Sequence, residues 1–284
     1  MKPFWVIILI ISILGNGLGL YFAYRFLKHD RLVGRLQTKL AQDEEIINKI
    51  SLKMPKQLLF LHHSVGKGWL EAGGLRAALI ANGLGVHDAT YGDEIGELTD
   101  IVHWVPKFKN DMERVLTFNH SPNTYYKDGR QNDIIMFKSC FPNSDIQADG
   151  TPPGNAADNA KTTWNYKAVF GELQGIMAKY PNKLFIYVTA PPLVPAETKP
   201  ENAKRAREFN DWVKSEYVAE YTRKTGLNNL LVFDFFDVLA DKDNCLKAEY
   251  RRSDADSHPN AAGGQAATVA FVEFLKSKGV ISAN

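Results

Sequence analysis

The sequence predicts an α/β domain of three layers, helices covering both faces of a mostly parallel sheet, preceded by an N-terminal transmembrane helix. Three observations predict it. From Gln57 onward, short apolar runs alternate with amphipathic stretches, and strands that alternate with helices form parallel sheets covered on both sides. The residues suited to chemistry follow apolar runs, at the carboxyl edge where such sheets carry their sites. Residues 4–24 hold no charge over a length that lets a helix cross a bilayer.

That first segment reads FWVIILIISILGNGLGLYFAY, with Lys2 before it and Arg25, Lys28, Arg31 and Arg35 after it. It is longer than the apolar core of a cleaved signal peptide and lacks a small-residue cleavage site, so residues 1–27 are read as an uncleaved single-pass anchor in the lipid bilayer. The excess of positive charge behind the span places the main domain in the cytoplasm by the positive-inside rule. Residues 28–55 read as a helical stalk. Val33, Leu36, Leu40, Ile47 and Ile50 follow heptad-like spacing, but Asp43 interrupts it and the stretch is short for a coiled coil. Pro55 ends it, because the residue before proline is pushed out of the helical region.

The domain itself spans residues 56–284. Leu58–His62 reads as the first strand, Leu70–Asn82 as a helix with Gly83 at its end, and Val86–Tyr91 as the second strand. Asp133–Lys138 is the third strand and Trp164–Tyr180 an amphipathic helix. Leu184–Thr189 is the fourth strand, stopped by Ala190-Pro191-Pro192. Ala203–Arg223 is helical, Leu230–Phe235 is the last strand and Ala261–Lys278 the last helix. Two long insertions, Tyr91–Gln131 and Ala148–Thr163, are bordered by or hold Trp104, Tyr125, Tyr126 and Trp164, aromatics that either pack the loops or form a platform for sugars.

Composition narrows the function. The chain has 284 residues, 45% of them hydrophobic, and 34 basic against 32 acidic side chains give a net charge of +2. That balance argues against a nucleic-acid partner. Cys140 and Cys245 are the two cysteines and no CxxC occurs, so they read as free, buried thiols. His62 and His63 are neighbours on a strand end and point to opposite faces, a poor chelate, and no H-E-x-x-H is present. No metal and no cofactor are expected, and the oligomeric state is left open. One histidine is expected to pack in the core, the other to line the loop.

Three loops carry the chemistry. His62-His63-Ser64-Val65-Gly66 follows the first strand, Ser139-Cys140-Phe141-Pro142-Asn143-Ser144-Asp145 the third, and Asp254-Ala255-Asp256-Ser257-His258-Pro259-Asn260 precedes the last helix. Taken singly, each has a plain structural reading: Ser64 as a helix cap, Asn143 as a turn former, His258-Pro259 as a helix start. Together they are what acyl transfer needs: a serine to attack, a histidine to take its proton, amide donors for the oxyanion and an acid to orient the imidazole.

In this order the residues resemble the SGNH (GDSL-like) hydrolase superfamily, over roughly residues 57–280. The resemblance implies a flavodoxin-like fold and an ester hydrolase or acyl-transfer activity on small-molecule or glycan esters, with no cofactor. It assigns Ser64 as nucleophile, although the usual GDS reads His62-His63-Ser64, and His258 as base within Asp256-Ser257-His258-Pro259-Asn260. Asn143 matches the oxyanion asparagine, in Phe141-Pro142-Asn143-Ser144, and the oxyanion hole would combine the Ser64 and Gly96 backbone N–H groups with the Asn143 amide. Gly92 is the other candidate for that glycine. The family's acid lies three residues before the histidine, where this chain has Ala255. Asp256, Asp254 or a backbone carbonyl would then orient His258, with Asp256 preferred. The resemblance places the domain on the extracytoplasmic side, against the charge pattern. The HHS and PNS variants and the alanine at 255 also fit a different class, a non-catalytic anchored module that keeps the fold.

Overall fold

The computed structural model describes Leu32, residues 35–42 and residues 55–283. The expected bilayer helix and most of the stalk lie outside the described residues. Within the stalk, residues 35–42 are helical, and Leu36 and Leu40 are exposed. Among the described residues no helix is long and apolar enough to cross a membrane. The chain divides into two units, residues 1–54 and Pro55–Asn284, and the sheet lies in the second.

Five strands form one parallel sheet: β1 (Lys56–Leu61), β2 (Leu84–Ala89), β3 (Ile134–Lys138), β4 (Leu184–Val188) and β5 (Leu230–Phe233), in the order β2-β1-β3-β4-β5. The order reverses between β1 and β3, and a crevice opens at such a switch point beyond the strands' carboxyl ends. The core strands are apolar throughout because both faces are covered. Leu59 and Leu61 of β1 belong to one hydrophobic cluster with Phe170 and Phe209, while Leu58 and Phe60 belong to another with Trp69 and Phe271. Alternate residues of one strand thus feed two cores.

The main helices are α1 (Ser64–Leu70), α2 (Leu75–Ala81), α3 (Thr163–Met177), α4 (Pro200–Trp212) and α5 (Ala261–Ser277). The single helix expected over Leu70–Asn82 is two. α1 begins at Ser64, directly after the first strand, and the chain turns at Gly73-Gly74, where Gly74 takes the left-handed conformation at φ +74. The turn lets α5 come close: a Cβ on Gly264 would lie 2.9 Å from the Gly73 Cα. Trp69 Nε1 donates to Thr268 Oγ1 at 3.0 Å, and Thr268 Oγ1 donates to the Gly73 carbonyl at 2.8 Å. These contacts tie the helix that starts at Ser64 to the helix that follows His258.

The long helix expected over Ala203–Arg223 runs from Pro200 to Thr225 through a π turn at Val213–Tyr217, and Gly226 ends it at φ +71. The first insertion is folded: Trp104–Asn110 and Met112–Thr117 are helical, and Phe118–His120 pairs with Thr124–Tyr125. Trp104 is fully buried and its Nε1 donates to Ser139 Oγ, so packing is its role rather than a sugar platform.

Candidate active site

β1 ends in the paired histidines, and they part as their alternation requires. His62 is fully buried; its Nδ1 lies 2.8 Å from the His63 carbonyl and its Nε2 3.3 Å from Asp88 Oδ2. Arg76 pairs with the same aspartate. A Cβ on Gly66 would meet the His62 ring at 2.4 Å, so this glycine lets α1 start over the imidazole. His63 is half-buried and lines the loop, its Nε2 2.9 Å from the Gly96 carbonyl. Burial pushes its pKa below the usual value. Ser64 follows at the first position of α1, where backbone N–H groups are left without helical partners.

The block before α5 forms a short hairpin, Arg251–Ser253 against Asp256–Pro259. In extended backbone, residues two apart share a face. Asp256 and His258 therefore stand side by side, while Ser257 turns the other way, is buried, accepts from the Val194 N–H at 2.9 Å and donates to Glu197. This explains how an acid two residues before the histidine can do what one at three does elsewhere. His258 Nδ1 is 2.6 Å from Asp256 Oδ1, which also accepts the His258 backbone N–H at 2.9 Å. Burial alone would raise the Asp256 pKa, but these two hydrogen bonds and the nearby imidazole hold it below the usual carboxylate value.

Ser64 Oγ is 2.8 Å from His258 Nε2, across 194 positions of sequence. A carboxylate can only accept, so the Nδ1 that faces Asp256 carries the proton and Nε2 is free to accept from the serine hydroxyl. Phe141 packs edge-on against the His258 ring at 4.9 Å. Asp254 is not part of this arrangement; it is exposed and pairs with Arg251 at 3.3 Å.

The two other expected oxyanion donors have partners already. The Gly96 N–H donates to the Asp93 carbonyl at 2.8 Å. Glycine is needed there because a Cβ would lie 2.1 Å from the Thr90 carbonyl oxygen. The Asn143 side chain is 4% exposed; its Nδ2 donates to Asp100 Oδ1 at 2.7 Å and to the Cys140 carbonyl at 3.2 Å, and its Oδ1 accepts from the Ile101 N–H. Gly92, the other glycine considered, takes φ +90 and its N–H donates to Glu97.

Cys140, read from the sequence as a free, buried thiol, lies at the site, with two residues that sequence reading gives no role there, Lys138 and Tyr91. Cys140 Sγ is 3.8 Å from Ser64 Oγ. Lys138 is fully buried at the end of β3; its Nζ donates to the Ser139 carbonyl at 2.9 Å and approaches Cys140 Sγ at 3.9 Å. Desolvation lowers its pKa. Tyr91 stacks on His63, ring centroids 3.9 Å apart at 27°. Both cysteines are free and buried. Among the described residues no group of three or more His, Cys, Asp or Glu side chains is placed to hold a metal ion.

No family model and no curated protein matches the chain. Solved structures of similar shape do. A Streptococcus pneumonia protein provisionally described as a platelet activating factor is 15% identical, with TM-score 0.46, over 84% of this chain and 92% of that one. A gut microbial diltiazem-metabolizing enzyme is 14% identical, with TM-score 0.45, over 78% of this chain and 47% of that one. A salicylyl-acyltransferase from a tetracycline biosynthetic pathway is 15% identical, with TM-score 0.43, over 82% and 58%.

Proposed function

We propose that this chain is a serine-dependent ester hydrolase or acyl-transfer enzyme of the SGNH type. The observation that carries the reading is the line of hydrogen bonds from Ser64 Oγ through His258 to Asp256, at 2.8 and 2.6 Å. Ser64 attacks an ester carbonyl while His258 Nε2 takes its proton. The carbonyl π electrons move to oxygen, and the Ser64 N–H meets the charge that forms. Collapse breaks the bond to the leaving alcohol, which receives the proton from His258. The acyl group on Ser64 then passes to water or to an acceptor hydroxyl by the same steps in reverse. Asp256 keeps the imidazole in the required tautomer and stabilises its charged form.

Acylated glycans are a substrate class consistent with this reading. A pocket of about 250 Å³ whose lining includes Asn143 of the loop after β3 also presents Asp100, Val102, Asn159, Lys161 and Tyr166, a mixed surface of the kind sugar rings take. The test is covalent labelling with a fluorophosphonate, which reacts fast only with a serine activated by a base. Ser64 is the residue that should carry the label; Ser64→Ala should lose it and His258→Ala should lose most of it. A folded wild-type protein that takes no label would move the reading to a non-catalytic module.

Residues 4–24 are proposed to anchor the enzyme as a single-pass protein, with the domain on the extracytoplasmic side. Full-length protein should need detergent for release, and protease added to intact cells stripped of any outer barrier should reach the domain. Recovery in the soluble fraction without detergent would refute the anchor, and protection from protease would put the domain in the cytoplasm.

A further inference from the structure

We propose that Ser257 is a positioning residue: its hydroxyl, held between Glu197 and the Val194 N–H, fixes the strand that carries Asp256 and His258. The inference rests on the serine-esterase reading above. The acid and the base lie on one strand of a two-stranded hairpin, and a hairpin of that size does not hold its own shape. Its pairing also shifts register between Arg251 and Ser253. One end is tied by Asn260, whose Nδ2 donates to the Glu249 and Arg251 carbonyls at 2.9 and 3.0 Å. The bond between His258 and Asp256 sets their mutual geometry but not their place relative to Ser64.

Ser257 supplies the second tie. It is buried, and its Oγ accepts the Val194 N–H at 2.9 Å and donates to Glu197 Oε2. One turn of the loop after β4 presents both partners: Pro195–Glu197 is a 3-10 turn, closed by the Glu197 N–H donating to the Val194 carbonyl at 3.0 Å. That loop is itself fixed. The Leu246 N–H donates to the Leu193 carbonyl at 2.8 Å, Ser144 Oγ to the Ala190 carbonyl at 3.1 Å, and Thr198 Oγ1 to Asp145 Oδ1 at 2.9 Å. Neighbours on extended chain point to opposite faces, so pinning Ser257 on one side sets the direction in which Asp256 and His258 stand on the other. The 2.8 Å approach of His258 Nε2 to Ser64 Oγ depends on that direction.

With p-nitrophenyl acetate as probe, Ser257→Ala should lower kcat by about 10–100-fold while KM stays within about twofold, because a displaced base costs rate rather than binding. Fluorophosphonate labelling of Ser64 should slow by a similar factor. Glu197 is exposed, so its variants should keep the fold even where Ser257→Ala does not. Glu197→Ala should lower kcat by about 3–10-fold. Glu197→Gln still accepts from the hydroxyl and should recover most of that loss, with both thermal midpoints unchanged. Wild-type kcat in a folded Ser257→Ala protein, a change confined to KM, or equal rates in Glu197→Ala and Glu197→Gln overturns the proposal. A wild-type protein with neither turnover nor label at Ser64 fails earlier, on the serine reading itself, and takes the Ser257 role with it.

Discussion

Asp256 Oδ1 accepts two hydrogen bonds from one residue, the ring and the backbone N–H of His258 two positions on. Both come from the same extended segment, so the acid and base are positioned locally, and only the serine has to be brought from elsewhere. Asp256→Asn should keep the fold but offer a neutral amide to the imidazole, which favours the wrong tautomer. Turnover should drop by roughly 10²–10⁴ with little change in thermal midpoint. Asp254→Ala, which loses only an exposed pair with Arg251, should stay near wild type. Equal and small losses in both variants would mean that neither carboxylate orients His258.

The other end of the site carries its own acid. Asp88 is held at a pKa of about 2: burial raises it, but hydrogen bonds and charge from His62 and Arg76 outweigh that. Its side chain is 27% exposed, so screening is partial. A depressed carboxylate stabilises the fold above its unfolded pKa near 3.8 and loses that contribution as pH falls toward 2. The full effect is about 2 kcal/mol. Urea unfolding of wild type and Asp88→Asn should show a gap at pH 5 that closes toward pH 2. A gap independent of pH would mean the ion pair does not set this stability.

How much of this is legible in the sequence depends on whether a residue's neighbours are local. Ser64 is legible because an apolar run ending in a small polar residue marks a strand edge. His258 is legible because it precedes the last helical pattern, whereas the sequence leaves Asp256 beside Asp254 and a backbone carbonyl, and only the hairpin at Asp256–Pro259 separates them. Tyr91 is not legible: its place at the site is the stack on His63, 28 positions away in sequence. The break between α1 and α2 is hidden for a similar reason. Leu75 and Leu79 keep helical spacing just after Gly73-Gly74, and what exploits the turn is Gly264, far along the chain. Gly96 reads as a donor in the sequence, whereas its neighbours in the fold need it for its missing side chain.

Lys138 tests what a buried charge does beneath the serine. It is fully buried, and its ammonium meets a carbonyl and a sulfur. Desolvation disfavours the charged form. Lys138→Met keeps most of the side-chain volume and removes that penalty, so the thermal midpoint should hold or rise. Lys138→Ala opens a cavity and should cost about 2–5 kcal/mol. Calorimetry on both variants decides; a Met variant as destabilised as the Ala variant would show that the charge itself supports the fold.

The contact between Gly73 and Gly264 carries the geometry of Ser64 and His258. α1 begins with the serine, α5 begins three residues after the histidine, and the two helices are pinned by Trp69 to Thr268 and Thr268 to the Gly73 carbonyl. Gly264→Ala would place a methyl 2.9 Å from the Gly73 Cα and about 4.0 Å from the Trp69 Cα. Backbone cannot swing aside as a side chain does, so α1 and α5 must part by some tenths of an ångström, at about 1–3 kcal/mol. The 2.8 Å bond between Ser64 and His258 spans that same gap, so the loss of labelling should exceed what the loss of stability explains at a temperature where the variant is fully folded. Gly171 supplies the control. It lies in α3, where an added methyl would meet nothing within 4 Å, and Gly171→Ala should stabilise by about 0.5–1 kcal/mol with labelling unchanged. A Gly264→Ala protein that labels at the wild-type rate would show that helix separation does not reach the serine.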